Sequence, residues 1–264
     1  SAITTKTAIA PLERLKLLKQ SQLYYKSNVY QNMFQSFRHI YQQESIDGFF
    51  RGNFSNILRI VPIYMLKFPL NEYFQKKFRR INQQGPLSFH QLLAAGICSG
   101  TLQISLTYPL DTLRTRMSLD KQMITNYTNL SRCIQNIFQQ EGFRAFYKGF
   151  PVCGSTYPIY VGLQFSLYDT LKEDYPSLVS GAIAGMIAQT LMYPGDTIKR
   201  QMQLNGIPGV AKQYKSIPHC IKVIYQQYGI RGFYPALHIN ILKAIPGAGI
   251  QFWVYDNCKE YLFK

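Results

Sequence analysis

The sequence has few acidic residues and no clustered cysteines or histidines. Its 13 acidic side chains stand against 29 basic ones, and the formal net charge of +16 favours anionic partners such as phosphates, nucleotides or acidic lipids. The five cysteines form no CxxC pair and stand at no metal-ligand spacing from the four histidines, so we expect reduced packing residues and no metal site. The chain also lacks a nucleophile and base pairing, a phosphate loop and a dinucleotide fingerprint, so we expect neither an enzyme nor a cofactor.

Charged side chains are absent from residues 81–110, 149–168 and 175–195. Each stretch is close to or longer than the ~20 residues that cross a bilayer. The mean hydropathy of −0.12 is low for a bundle buried wholly in lipid, so the helices must turn polar faces toward one another or toward a water-filled cavity. Because the basic residues flank apolar stretches and form no stripe on a soluble fold, the sequence favours a membrane transporter over a nucleic-acid-binding protein.

Two short patterns each occur three times. The first is a proline, one residue, an acid, two residues and a base, at residues 11–16, 109–114 and 194–199. The second is an isoleucine, an aromatic residue and two glutamines, which begins at Ile40, Ile137 and Ile224. Such regular recurrence is typical of repeated structural units.

We therefore predict a single domain, residues 1–264, with repeats at approximately 1–81, 82–174 and 175–264. Each repeat should contain two long helices and a short helix between them. The predicted fold class is an all-α membrane protein with six transmembrane helices in three pseudo-symmetric repeats.

The acid and base of the first pattern predict a ring of ion pairs. Each proline follows an apolar run and should kink or break its helix, so that the acid and base project from the next turn. Around a threefold pseudo-axis, the acid of one repeat reaches the base of another, which gives the pairs Glu13 with Arg114, Asp111 with Lys199, and Asp196 with Lys16. Ion pairs beside water cost little to break, so such a ring can act as a reversible gate.

A second set of charges stands at the far ends of the second helices and predicts another ring. Its members are Glu72, Asp169, Lys172, Asp256 and Lys259, with Glu72 pairing with Lys259 and Lys172 with Asp256. Gln75 occupies the position of the last base, so we expect this gate to be weaker by one pair.

Four basic residues lie within otherwise apolar spans, namely Lys6, Arg59, Lys67 and Lys243. A charge inside a membrane is costly, so each is expected to have a function. One interpretation is the binding of phosphate or carboxylate groups. The alternative is snorkelling to the interface or pairing within the bundle.

These motifs resemble the signature of the mitochondrial carrier family over the whole chain, and the ADP/ATP carriers are the most similar members. The match is close at residues 6–18, 51–59 and 114–117. The resemblance implies a multi-pass protein of the mitochondrial inner membrane, with the short helices and the first ring on the matrix side and the second ring on the cytoplasmic side. It also implies exchange of an anionic, adenine-nucleotide-like substrate by alternating access.

The resemblance also implies roles for individual residues. Lys6, Arg59 and Lys243 match positions that bind nucleotide phosphates, Tyr160 matches a tyrosine that lines the same cavity, and Gln20 matches a glutamine that braces the matrix gate. Two aromatic-basic-glycine segments resemble cardiolipin sites, through Arg51 and Gly52 and through Lys148 and Gly149. Simple interfacial anchoring is the alternative for these segments.

Some positions depart from the ADP/ATP carriers. Thr156 and Tyr157 replace a small-then-aliphatic pair that contacts adenine, which makes them candidate substrate-binding residues of an altered pocket. Only ten residues precede Pro11, so a shortened first span is expected. Two alternatives stay open: a non-transporting subunit with the carrier fold in a larger respiratory complex, and a carrier for another anion such as a coenzyme A derivative.

Overall fold

The computed structural model describes residues 2–25, 32–81, 89–119, 130–207 and 212–243, and within these ranges it contains helices and no strands. In chain order the helices are α1 (Ala2–Ala8), α2 (Ala10–Tyr25), α3 (Met33–Glu44), α4 (Asn53–Ile81), α5 (Phe89–Met117), α6 (Leu130–Glu141), α7 (Phe150–Leu171), α8 (Ser177–Leu204), α9 (Ile217–Tyr228) and α10 (Leu237–Leu242). The all-α class predicted from the sequence is confirmed for this part of the chain.

Among the described residues, no helix combines the length and the apolar character that identify a membrane span. The six transmembrane helices predicted from the sequence are therefore not confirmed.

The repeated motifs fold into repeated local structure. The short helices α3, α6 and α9 have 12 residues each, and a 3-10 turn follows each of them. The chain enters this turn through a left-handed residue, which is Gly142 in the second repeat and Gly229 in the third. Ser45 holds the equivalent position in the first repeat with φ at 58°, a conformation that costs a residue with a side chain about 1–3 kcal/mol.

The short helices pack their inner faces against the ends of the long helices. Buried residues recur at equivalent positions, namely Ser36, Cys133 and Cys220 and, one turn later, Ile40, Ile137 and Ile224. A spacing of four residues places both positions on one helical face. Burying each isoleucine contributes about 1.5–3 kcal/mol, so this face fixes the position of each short helix.

The helices that carry the proline-acid-base motif converge. α4 packs along α5 and α7 packs along α8, while α8 also contacts α2 and α5. The first long helix is interrupted at Ile9, two residues before Pro11, and this interruption separates α1 from α2. In contrast, α5 and α8 continue through Pro109 and Pro194. This convergence brings the acids and bases of the three repeats together.

Candidate functional site

Ion pairs join α2, α5 and α8 at the point where they converge. They are Glu13 with Arg114, Asp111 with Lys199 at 2.8 Å, and Asp196 with Lys16 at 2.6 Å. The structure therefore contains the three contacts predicted from the repeated motif. Their role as a gate stays a prediction.

The carboxylates of this ring hold unequal numbers of cations. The side chain of Asp111 is 7% exposed and has Lys199 at 2.8 Å, Arg200 at 3.2 Å and Arg59 at 3.7 Å. The side chain of Asp196 is 30% exposed, and Lys16 is the one cation within 4 Å of it among the described residues. A buried carboxylate needs several close partners to offset the loss of its hydration, whereas a partly hydrated one needs fewer. Asp196 is therefore the least tightly held corner of the ring.

The third corner, Glu13, draws two further lysines to one of its oxygens. Lys6 Nζ lies 2.9 Å and Lys243 Nζ 3.8 Å from Oε1 of Glu13. The side-chain amide of Asn56 donates a hydrogen bond of 3.2 Å to Oε2. Together with Arg59 beside Asp111, all three candidate phosphate-binding cations thus contact a carboxylate of the ring. The sequence left open whether these cations pair within the bundle, and in the structure all three do.

Positive charge exceeds negative charge around the ring. Seven cationic side chains surround the three carboxylates and leave an excess of four positive charges, the cations being Lys6, Lys16, Arg59, Arg114, Lys199, Arg200 and Lys243. Like charges held this close repel one another, most strongly where water is excluded. A multiply charged anion placed there would relieve this repulsion.

The described residues include only part of the predicted second ring. Glu72 pairs with Lys76 of its own helix at 3.9 Å, and both side chains are largely exposed. Lys172 lies over the ring of Tyr168, 6.0 Å from its centroid. Asp256, Lys259 and the side chain of Asp169 lie outside the described structure, so the second gate stays a prediction.

The basic residues of the predicted cardiolipin segments make internal contacts. Arg51 Nη1 lies 3.6 Å from Glu44, and Lys148 pairs with Glu141 and donates to the backbone oxygen of Asn205 at 2.7 Å. Gly52 and Gly149, which follow them, adopt φ of 80° and 84° just before α4 and α7 begin. Lipid binding through the backbone N–H groups of these helix starts stays a prediction.

Two cavities adjoin the ring. The first, of about 230 Å³, is lined by residues that include Lys16, Thr156, Tyr157, Tyr160, Gln189, Tyr193 and Asp196. The second, of about 280 Å³, is lined by residues that include Arg59, Ile63, Ile104, Tyr108, Asp111, Tyr157 and Lys199. Thr156, Tyr157, Tyr160 and Arg59 therefore line cavities beside the ring, whereas Lys67 is exposed, and substrate binding by these residues stays a prediction.

A family model described as "Mitochondrial carrier protein" matches residues 1–82, 85–176 and 174–264. The chain belongs to the mitochondrial carrier family. The family assignment made from the repeated motifs is thus confirmed.

Similar members of the mitochondrial carrier family cover nearly the whole chain. ADP/ATP translocase 4 of Homo sapiens is 32% identical, over 99% of this chain and 88% of the relative. The mitochondrial adenine nucleotide transporter ADNT1 of Arabidopsis thaliana is 30% identical, over 98% of this chain and 83% of the relative. The mitochondrial carrier protein CoAc2 of Zea mays is 32% identical, over 97% of this chain and 82% of the relative.

In this carrier, two glutamines occupy equivalent positions beside the ring. Gln20 donates a hydrogen bond to Asp196 at 3.4 Å, and Gln203 donates one to Asp111 at 3.1 Å. A role for Gln20 was predicted from the sequence, and none was predicted for Gln203. The signal was present, because each glutamine stands four residues after a base of the ring, Lys16 or Lys199.

Arg200 was also overlooked in the sequence. Besides Asp111, its guanidinium contacts Thr115 and donates to Gln203 Oε1 at 2.8 Å. Gln203 therefore links Arg200 to the carboxylate that Arg200 itself contacts. Two of its partners, Asp111 and Thr115, come from α5 and lie far away in the sequence, so its neighbours along the chain do not reveal these contacts.

Proposed function

We propose that this carrier exchanges multiply charged organic anions of the adenine nucleotide class across the mitochondrial inner membrane by alternating access. The observation that carries the proposal is the excess of four positive charges around the ring. A polyphosphate group matches it because several negative charges lie on one end of the molecule. The relatives named as adenine nucleotide and ADP/ATP transporters support the same substrate class.

Substrate binding and gate opening would be coupled through shared cations. Lys6 and Lys243 both lie within 4 Å of one oxygen of Glu13, so a phosphate bound to them competes with that carboxylate. Arg59 stands in the same relation to Asp111 at 3.7 Å. Hydrogen bonds to charged groups contribute about 1.5–3 kcal/mol each, which allows a bound anion to offset the loss of ring contacts. An empty carrier would then keep its ring closed, as obligatory exchange requires.

The proposed arrangement places the long helices across the membrane, with the ring and the short helices on the matrix side. α4 and α5 have 29 residues each, α8 has 28 and α7 has 22, and all exceed the ~20 residues that a bilayer requires. Polar side chains of these helices line the two cavities. Burial of polar groups toward a shared aqueous space is the arrangement expected for a transporter. Transport then needs no covalent chemistry from the protein.

Exchange by the purified protein tests this function. We would reconstitute it in liposomes that contain cardiolipin, load them with ADP, and measure uptake of radiolabelled ATP. Arg59→Gln and Lys243→Gln should lower uptake at least about tenfold, because each removes a cation worth one or more charge-assisted hydrogen bonds. Lys222→Gln, which changes an exposed lysine on α9, is the matched control and should leave uptake unchanged.

Parallel liposomes loaded with phosphate or coenzyme A separate the substrate alternatives. Uptake of coenzyme A and not of nucleotides would replace the proposed substrate and keep the transporter. Absence of exchange for all of these anions, together with stable co-purification with a respiratory complex, would overturn transport in favour of a structural subunit.

A further inference from the structure

The two cavities beside the ring are built from equivalent residues of different repeats. In each, a lysine stands over a tyrosine ring: Lys16 is 5.2 Å from the centroid of Tyr193, and Lys199 is 5.3 Å from that of Tyr108. Each tyrosine directly precedes the proline of its repeat, and each lysine pairs with the acid that follows that proline. We call the space at Tyr193 the repeat-2/3 cavity and the space at Tyr108 the repeat-1/2 cavity.

These cavities differ in chemistry despite their common plan. The repeat-1/2 cavity is lined by Arg59, Ile63 and Ile104. At the positions related by the sequence repeat, the repeat-2/3 cavity has Thr156, Tyr160 and Gln189. The repeat-1/2 cavity, which Gln103, Thr107 and Tyr108 also line, thus has a guanidinium and two aliphatic side chains where the repeat-2/3 cavity has a threonine, a tyrosine and an amide. An anion with a charged end and a flat polar end would use both.

Tyr157 forms the wall between the cavities. It lines both of them, as do Cys153 on the preceding turn of α7 and Lys199 on α8. Drug-sized ligands occupy pockets of about 300–1,000 Å³. The cavities, of about 230 Å³ and about 280 Å³, each fall below that range, and only the undivided space would fall within it.

The ring of Tyr157 packs directly against a glycine on α5. A Cβ atom built on Gly100 would lie 2.5 Å from Cε1 of Tyr157 and 3.3 Å from its hydroxyl oxygen. Real Cβ atoms do not approach a ring so closely, so any larger residue at position 100 must displace the tyrosine. The position of the Tyr157 ring therefore depends on the absence of a side chain at Gly100.

We propose that Tyr157, seated against Gly100, is the residue that sets the size limit of the substrate by dividing one central space into two half-cavities. The inference rests on the proposed function, in that it concerns the same anion-binding space. The charged end of the substrate lies by Arg59 and Lys199, and its organic part must fit beside the tyrosine ring to reach Tyr160 and Gln189. Large organic groups are excluded by the ring, and truncation of Tyr157 admits them.

The test compares anions of increasing size in wild-type protein and in variants of the wall. Exchange of ADP and of coenzyme A is measured in liposomes, and the shift in melting temperature caused by each anion is measured in detergent. Tyr157→Ala should raise the coenzyme A to ADP ratio by about tenfold or more, since a pocket discriminates by this order when a group fits or fails to fit. Tyr157→Leu should act in the same direction, which covers the case that the alanine variant does not fold.

Two further variants complete the test, one that should have the opposite effect and one that serves as a control. Gly100→Ala pushes the side chain of Tyr157 into the cavities. It should lower both the exchange and the melting-temperature shift for ADP and for coenzyme A, with the larger loss for coenzyme A. Tyr175→Ala removes an exposed tyrosine beyond the end of α7 and should leave the ratio unchanged. An unchanged ratio in Tyr157→Ala and Tyr157→Leu, with wild type active on either anion, overturns the size limit and leaves the transport function standing. No exchange and no melting shift with any anion in wild type overturns both.

Discussion

Asp111→Asn should destabilise this protein far more than the equivalent change at Asp196. The carboxylate is 7% exposed and has three cations within 4 Å, at 2.8, 3.2 and 3.7 Å. Removing one member of a buried charge cluster costs about 3–5 kcal/mol, because its partners are left buried without an opposite charge. The asparagine keeps the shape of the side chain, so the loss reports the charge and not a cavity.

Asp196→Asn is the matched comparison within the same ring. Its side chain is 30% exposed and keeps part of its hydration, and Lys16 is the one cation within 4 Å of it among the described residues. Losing this one ion pair should cost less than losing three buried ones. Glu173→Gln, which neutralises an exposed carboxylate outside the ring, controls for the change in net charge.

Thermal unfolding in detergent measures all three variants. In a chain of this size 1 kcal/mol corresponds to about 2–4 °C in melting temperature. Asp111→Asn should therefore lower the melting temperature by about 6–20 °C, and Asp196→Asn should lower it by less. Equal shifts for the two aspartates would refute the idea that the ring is unequally held, as would a larger shift for Asp196→Asn.

Three other changes test separate parts of the structure. Gln203→Leu removes the link between Asp111 and Arg200 and should cost about 1–3 kcal/mol in chemical unfolding, whereas Gln139→Leu on the exposed face of α6 should cost little. Ser45→Gly relieves the left-handed serine and should raise the melting temperature; a fall would show that the backbone there is not strained. Burial raises the pKa of the Cys133 and Cys220 thiols to about 12, so both stay protonated through pH 9, and mass spectrometry should find neither alkylated by N-ethylmaleimide until the protein is denatured. Labelling of these two cysteines in the native protein, rising with pH as for an ordinary thiol, would contradict their burial.

The ring could be predicted because its residues are marked locally. A proline fixes the position of the acid and base on the next turn, and the pattern recurs three times, so the pairing follows once threefold pseudosymmetry is assumed. Glu13 with Arg114 joins residues of different repeats that are far apart in the sequence, and the repeat alone identifies them.

The unequal strength of the ring could not be predicted in this way. It depends on Arg200 and Gln203, whose side chains reach across from α8 to Asp111 on α5. Sequence identifies such long-range polar contacts only when a motif repeats them. Gln20 and Gln203 share a spacing from the ring base, but the corresponding position after Arg114 is Ser118, so the pattern is incomplete.

The position of Tyr157 between the two cavities could not be predicted from the sequence either. Tyr157 stands out there only as a departure from the ADP/ATP carriers. Its proposed function as a wall depends on Gly100, a residue on another helix. Gly96 and Gly100 form a GxxxG pattern, which predicts a close helix approach but does not identify the side chain that packs there.

Swapping the charges of Lys16 and Asp196 by mutation tests the gate most directly. Among the described residues, Lys16 is the one cation within 4 Å of Asp196. Nucleotide exchange is measured for Lys16→Asp, for Asp196→Lys and for the double variant. If the ring of ion pairs is a gate that must close and open in each cycle, each single variant loses exchange and the double variant recovers it. A double variant that is as inactive as the singles, while it folds and binds nucleotide like the wild type, would contradict the gate.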